Sequence, residues 1–263
     1  MCEIGEKLVS LNQRGLFFGP SEGDEAFFQR AGTSAGRSGF HSEGLGLIEK
    51  QFDSSPDWIE VFTQSKGLPF WEGAATWIEE NPNGSRSCRI QIKDSFLARL
   101  YSTEEVVAHE MVHAVRLMFD EKRFEEILAY RTSKSWFRRY FGPLFSGASE
   151  SKWFLGAIGL SWVIYLVEMV FDFPVFGNWV LLLPIFLLSF LALRLRKSQG
   201  IFAAALRNLE TRSSNPLGVA LRLTDQEIEL FAQSTSDEID RFLKGQQEGN
   251  LRWKQIYLSY FLT

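Results

Sequence analysis

Two nearly unbroken apolar runs, residues 153–171 and 177–195, constrain this chain more than any other feature of it. Each is close to the ~20 residues an α-helix needs to cross a hydrocarbon core of roughly 30 Å. Between them, Asp172-Phe173-Pro174-Val175-Phe176-Gly177-Asn178 supplies turn residues for a tight hairpin. Trp153 and Trp179 suit the two membrane interfaces, whereas Trp162 falls nearer the middle of its run. The competing arrangement is a helical hairpin buried in a large soluble core, but two adjacent apolar runs of this length are rare there. Lys134, Arg138, Arg139 and Lys152 precede the first run, and Arg194, Arg196 and Lys197 follow the second. The connection carries no cation and one acid, Asp172, so the positive-inside bias places both flanks on the cytoplasmic side. Glu168 lies about one turn inside the end of the first run, where it reaches the interface or, as the lesser alternative, marks a polar site in the bilayer.

With 263 residues, the chain has room for one large domain, or for one soluble domain and a membrane element. The apolar block divides it into residues 1–150, a hairpin over 151–197, and a polar C-terminal region over 198–263. A formal charge of −4 gives no broad basic field, which argues against nucleic acid as a partner. Cys2 and Cys88 are too few for a disulfide framework or a cysteine-rich metal cluster, and they suit a reducing compartment. The first residues, Met1-Cys2-Glu3-Ile4-Gly5-Glu6-Lys7, lack a basic segment followed by an apolar core, so no cleavable signal is expected.

Within 1–150, His109-Glu110-Met111-Val112-His113 concentrates most of the chemistry. Positions i and i+4 project from one helix face, so His109 and His113 can grip a single metal ion. Glu110, beside the first His, can reach a water activated by that metal and act as general base, then acid. Only three histidines occur in the chain, and two are in this motif. Ser102-Thr103-Glu104-Glu105 reads as a capping box that opens the motif helix. Residues 106–118 are apolar on most sides, which predicts a buried helix. Two His and a Glu in such a helix are costly unless they have partners, and a metal would provide one.

Around this helix the pattern is less regular. Residues 19–46 are rich in Gly and Ser and predict a loop, with His41 as a surface residue. Residues 56–80 carry the aromatic anchors Trp58, Phe70, Trp71 and Trp77, and the simplest reading is a short helix over 71–79, ended by Asn81-Pro82-Asn83-Gly84. Ser87-Cys88-Arg89-Ile90-Gln91-Ile92-Lys93 alternates polar and apolar residues and predicts a half-buried strand.

A catalytic zinc usually has three protein ligands. Arg116 and Phe119 occupy the positions where a HExxHxxGxxH motif has Gly and the third His, so that arrangement is excluded. Downstream, Phe124-Glu125-Glu126-Ile127-Leu128-Ala129-Tyr130-Arg131 resembles the third-ligand helix of gluzincin-like metallopeptidases, in which a Glu precedes a small residue by three positions. That match implies Glu126, paired with Ala129, as third ligand; Glu125 is the runner-up and Asp120 a further alternative. On one continuous helix Glu126 would stand about 20 Å from His113. The chain must therefore break and turn back across residues 119–123, where no Gly or Pro marks the break. The plain alternative for these acids is a solvated helix face paired with Lys122 and Arg123.

The resemblance to zincin-type peptidases covers residues 87–131 and implies an α+β catalytic domain. In such enzymes an edge strand before the metal helix pairs with the extended substrate, a role open to the strand at 87–93. Tyr130 would correspond to a Tyr that stabilises the oxyanion in some gluzincins, or it simply packs. Glu105 and Arg116 share the face of His109 and His113, and either orient the imidazoles, contact substrate or form surface ion pairs. In membrane-integrated peptidases the third Glu follows a later span; Glu210 is the nearest counterpart here and lacks the small residue, so the chain is not placed with them.

The C-terminal region predicts helices. Thr224-Asp225-Gln226-Glu227 reads as a capping box starting an amphipathic helix through about Phe242, and the aromatic end from Trp253 is expected to pack on the rest. Taken together, the expectation is a membrane-anchored zinc metallopeptidase, with His109, His113 and Glu126 on Zn2+ and Glu110 as catalytic base. Its substrates would be proteins or peptides near the bilayer, and its catalytic domain and both termini would be cytoplasmic. The alternatives are a non-catalytic membrane scaffold with a degenerate HExxH, and a zinc hydrolase acting on a non-peptide bond.

Overall fold

The computed structural model describes residues 3–35, 44–68, 73–80, 86–93, 102–171 and 177–261; His41 lies outside them. The described part is helix-rich, with a small mixed sheet. Three helices come first: α1 (Glu3–Gln13), α2 (Asp24–Ala35) and α3 (Leu45–Phe52). Three strands follow: β1 (Glu60–Thr63), β2 (Ala74–Glu80) and β3 (Arg86–Ile92). The motif helix is α4 (Thr103–Val115), and the short helices α5 (Glu125–Tyr130) and α6 (Trp136–Phe141) lead to the long pair α7 (Ala148–Phe171) and α8 (Leu183–Glu210). The chain ends with α9 (Pro216–Leu221), α10 (Asp225–Gln233), α11 (Ser236–Gly249) and α12 (Leu251–Tyr260).

Two segments are long and apolar enough to cross a membrane, Ser149–Phe171 within α7 and Trp179–Glu210, which contains α8, each with a mean hydropathy of 1.9 in its most apolar stretch. Only 6% and 11% of those stretches is buried within the described fold. Arg194 staples the foot of the hairpin, donating to both carboxylate oxygens of Glu150 at 2.5 and 2.6 Å and to Ser146 Oγ at 3.0 Å. The other half of α8 is a core helix. Leu195, Ser198, Phe202, Ala205 and Leu209 recur at three- and four-residue spacing and are all buried.

One apolar cluster runs from Leu8 on α1 to Tyr260 on α12 and includes Val107, Ala108, Met111 and Val112 of the motif helix. The C-terminal aromatic segment packs as expected, with Trp253, Ile256 and Tyr260 buried. Arg222, at 1% exposure, ties both ends of the chain: it donates to Asn12 Oδ1 at 2.6 Å and to the Phe52 carbonyl at 3.0 Å, and lies over the Phe17 ring. A buried guanidinium is tolerable only because these acceptors replace water.

Several local expectations change. The segment read as a helix over 71–79 is strand β2 where it is described, because Thr76, Trp77 and Ile78 suit a pleated surface and β3 supplies an antiparallel partner. The strand read at 87–93 is present as β3, but it lies in the middle of the order β1–β3–β2, so it offers no free edge. The Gly/Ser-rich loop is narrower than expected: α2 occupies residues 24–35, where Phe27 stacks on Phe18 at 3.5 Å and buried Arg30 pairs with Glu22 at 2.7 Å. The capping box at Ser102 is not formed. Ser102 makes no side-chain cap, and Glu105 instead accepts from Ser133 Oγ at 2.8 Å and Arg138 at 2.9 Å, charge-assisted bonds that outweigh a neutral cap. The capping box at Thr224 is present, yet its helix ends at Gln233, and a second box at Thr235 and Glu238 starts α11.

Candidate metal centre

α4 presents His109, Glu110 and His113 on its one partly buried face, while Val107, Ala108, Met111, Val112, Ala114 and Val115 are buried behind them. After Val115 the chain turns, and Asp120 adopts a left-handed backbone with φ of 51°. Asp is one of the few non-glycine residues that tolerates this conformation, so it marks the break without Gly or Pro. The helix start that follows is capped from far away. Asp225 accepts from the backbone N–H of Arg123 at 3.1 Å and of Phe124 at 3.3 Å, while Glu121 accepts from the N–H of Asp225 at 2.8 Å. α5 and α10 thus cap each other, and α5 packs back on α4.

This reversal brings Glu126 to the two histidines. Nε2 of His109 and Nε2 of His113 are 3.3 Å apart, and each lies 3.7 Å from a Glu126 carboxylate oxygen. A tetrahedral zinc at about 2.1 Å from its ligands separates them by roughly 3.4 Å, so the three donors have the spacing of a metal site. Among the described residues these three form the one His/Cys/Asp/Glu group with ligand atoms within 4.8 Å of one another. Two imidazoles and a carboxylate suit a first-row divalent ion. Asp120 lines the same cleft outside the triad. Glu125 takes a different place: its Oε1 is 2.5 Å from Nδ1 of His113, which holds that ring and leaves Nε2 toward the other donors.

Burial opposes charge on His113, but the Glu125 hydrogen bond, with the charges of Glu110, Glu126 and Glu125, overcomes it and pushes the pKa up to about 9. Burial holds His109 well below the usual histidine value, assisted by the positive His113 and Arg138. Burial also raises Glu126, with His113 acting in the opposite direction. The His113 imidazolium thus stands among the carboxylates of Glu110, Glu125 and Glu126.

The remaining members come from β2, α5 and the end of α4. Thr76 Oγ1 lies 2.9 Å from Glu110 Oε2 and 3.1 Å from the Glu110 carbonyl, fixing the carboxylate in the wall of a cleft of about 480 Å³. Tyr130 packs its ring edge-on against His109, with centroids 4.6 Å apart, and the same ring lies so close to Gly142 that a Cβ there would overlap it. Arg116 is buried, donates to the Leu221 and Leu223 carbonyls at 2.7 and 3.0 Å, and places Nε 4.0 Å from Glu125. Thr76 was hidden from sequence reasoning because its segment read as helix.

No known protein family, curated protein or solved structure matches this chain. The site therefore stands on its own geometry.

Proposed function

We propose that this chain is a membrane-anchored, metal-dependent peptidase of gluzincin type, with zinc held by His109, His113 and Glu126. The observation that carries the proposal is the convergence of these three donors beside a Glu110 carboxylate that Thr76 holds in place. When bound, zinc would polarise the scissile carbonyl and make water a better nucleophile near neutral pH. Glu110 then accepts the proton of the attacking water and returns it to the leaving amine. Glu125 keeps His113 in the tautomer that presents Nε2 to the site. Among the described residues β2 pairs on one side only, and Thr76 joins it to Glu110, so an extended peptide added to β2 would run past the catalytic carboxylate.

The apolar hairpin, flanked by Lys152, Arg194, Arg196 and Lys197, anchors the domain on the cytoplasmic face, which favours membrane proteins or their exposed segments as substrates. The test is Glu110→Gln, assayed with a quenched fluorescent peptide library beside metal analysis. Retained metal with cleavage reduced by at least about a hundredfold supports the role of Glu110. Undiminished cleavage refutes it. A chain that binds no metal and cleaves nothing would instead be a membrane scaffold.

A further inference from the structure

A second cavity, of about 470 Å³, lies at the foot of the hairpin and is separate from the proposed chemistry. Its wall includes Lys122, Arg123, Arg194 and Lys197, two hydroxyls from Ser146 and Ser198, and no carboxylate. The two arginines are already engaged: Arg194 with Glu150, and Arg123 with Glu229 and Ser198. Lys122 and Lys197 are exposed and have no ion-pair partner among the described residues. The cavity therefore carries an uncompensated positive charge from two ammonium groups, each with three donors. Its height is set by the chain: Ser146 lies just before α7, and Leu195, also in the wall, closes the second apolar run.

We propose that this cavity binds the phosphate headgroup of an anionic phospholipid. The proposal rests on the membrane reading of the hairpin and not on the metal chemistry. A headgroup phosphate at the end of two spans meets the lysines at the depth where anionic lipids concentrate charge, and basic pockets beside spans on the cytoplasmic side recognise such groups. The acyl chains would lie along the exposed apolar faces of the hairpin, among them Leu193 and Phe190. The cavity borders the candidate metal centre without belonging to it. Lys122 lines both clefts, and Ile127 in the wall belongs to α5, which carries Glu125 and Glu126.

The test is native mass spectrometry of the full chain in detergent, titrated with dioleoyl phosphatidylglycerol, dioleoyl phosphatidylcholine and glycerol 3-phosphate. Phosphatidylglycerol should bind at least about tenfold more tightly than phosphatidylcholine, and Lys122→Gln with Lys197→Gln should remove that preference. Arg241→Gln with Lys244→Gln, on α11, should leave it intact. Equal binding of the two lipids, or a preference that survives loss of both lysines, overturns the proposal. Glycerol 3-phosphate binding as tightly as phosphatidylglycerol overturns the lipid as source in favour of a free phosphate. Carbonate extraction of native membranes separates the two levels. A chain released by carbonate refutes the membrane reading and this proposal with it, whereas a retained chain without lipid preference refutes the cavity alone.

Discussion

Replacing Glu125 by Gln separates two things that this carboxylate does to His113. Its 2.5 Å bond to Nδ1 makes Nε2 a better donor to a metal, and the same bond makes Nε2 a better base for a proton. The His113 pKa of about 9 lies two units above pH 7, so the proton weakens metal binding there about a hundredfold. Partners of metal-bound imidazoles are worth about 10–100-fold in metal affinity. Glu125→Gln removes the main contribution raising the pKa and weakens the donor, so near pH 7 the two effects largely cancel. The signature is in the slope. Wild-type affinity should rise about tenfold per pH unit from 7 toward 9, because binding displaces one proton. The variant should rise far less and fall about 10–100-fold below wild type at pH 9. Competition with a chromogenic zinc chelator between pH 6.5 and 9.5 measures both curves. A flat wild-type curve, or equal slopes in the two proteins, would refute the reasoning.

The same proton makes a stability prediction. His113 holds it more tightly in the folded chain than at the ordinary value of 6.5, so its contribution is fully present below pH 6.5 and lost as pH rises through about 9. Thermal melts of metal-free protein should lose stability across that window, and a Glu125→Gln variant should lose less. Gly142→Ala would drive a methyl group into the Tyr130 ring, which packs on His109; calorimetry should show a cost of about 1–3 kcal/mol, with metal binding weakened and Tyr130→Leu restoring it. Asp225→Ala removes the acceptor that caps α5, and should cost about 1–2 kcal/mol in urea unfolding and loosen metal retention, although the residue touches no donor. Unchanged metal retention would mean that Glu126 is positioned without that cap.

The parts of the site legible in the sequence are those fixed by local spacing. His109, Glu110 and His113 needed only a helix, and the apolar residues around them supplied it. Glu126 needed a chain reversal whose causes are poorly visible. Asp120 adopts a left-handed turn that its residue type permits but does not require, and the cap comes from Asp225, on another helix. Ser102 and Glu105 have the right residues for a capping box, but Arg138 and Ser133 claim the carboxylate once the chain is folded. Thr76 was missed for a related reason. The turn residues Asn81-Pro82-Asn83-Gly84 end a helix or a strand equally well, and only the non-local pairing with β3 decides for a strand. The apolar hairpin was legible because length and composition alone define it, whereas the continuation of α8 into the core rests on the spacing from Leu195 to Leu209.

The central claim is that His109, His113 and Glu126 hold one metal ion together. Metal content per chain, by mass spectrometry of the purified full-length protein beside His113→Ala and Glu126→Ala, tests it most directly. The account predicts about one zinc per chain in the wild type and loss of it in both variants. Zinc at the wild-type level in Glu126→Ala, or none in the wild type after reconstitution, would contradict it.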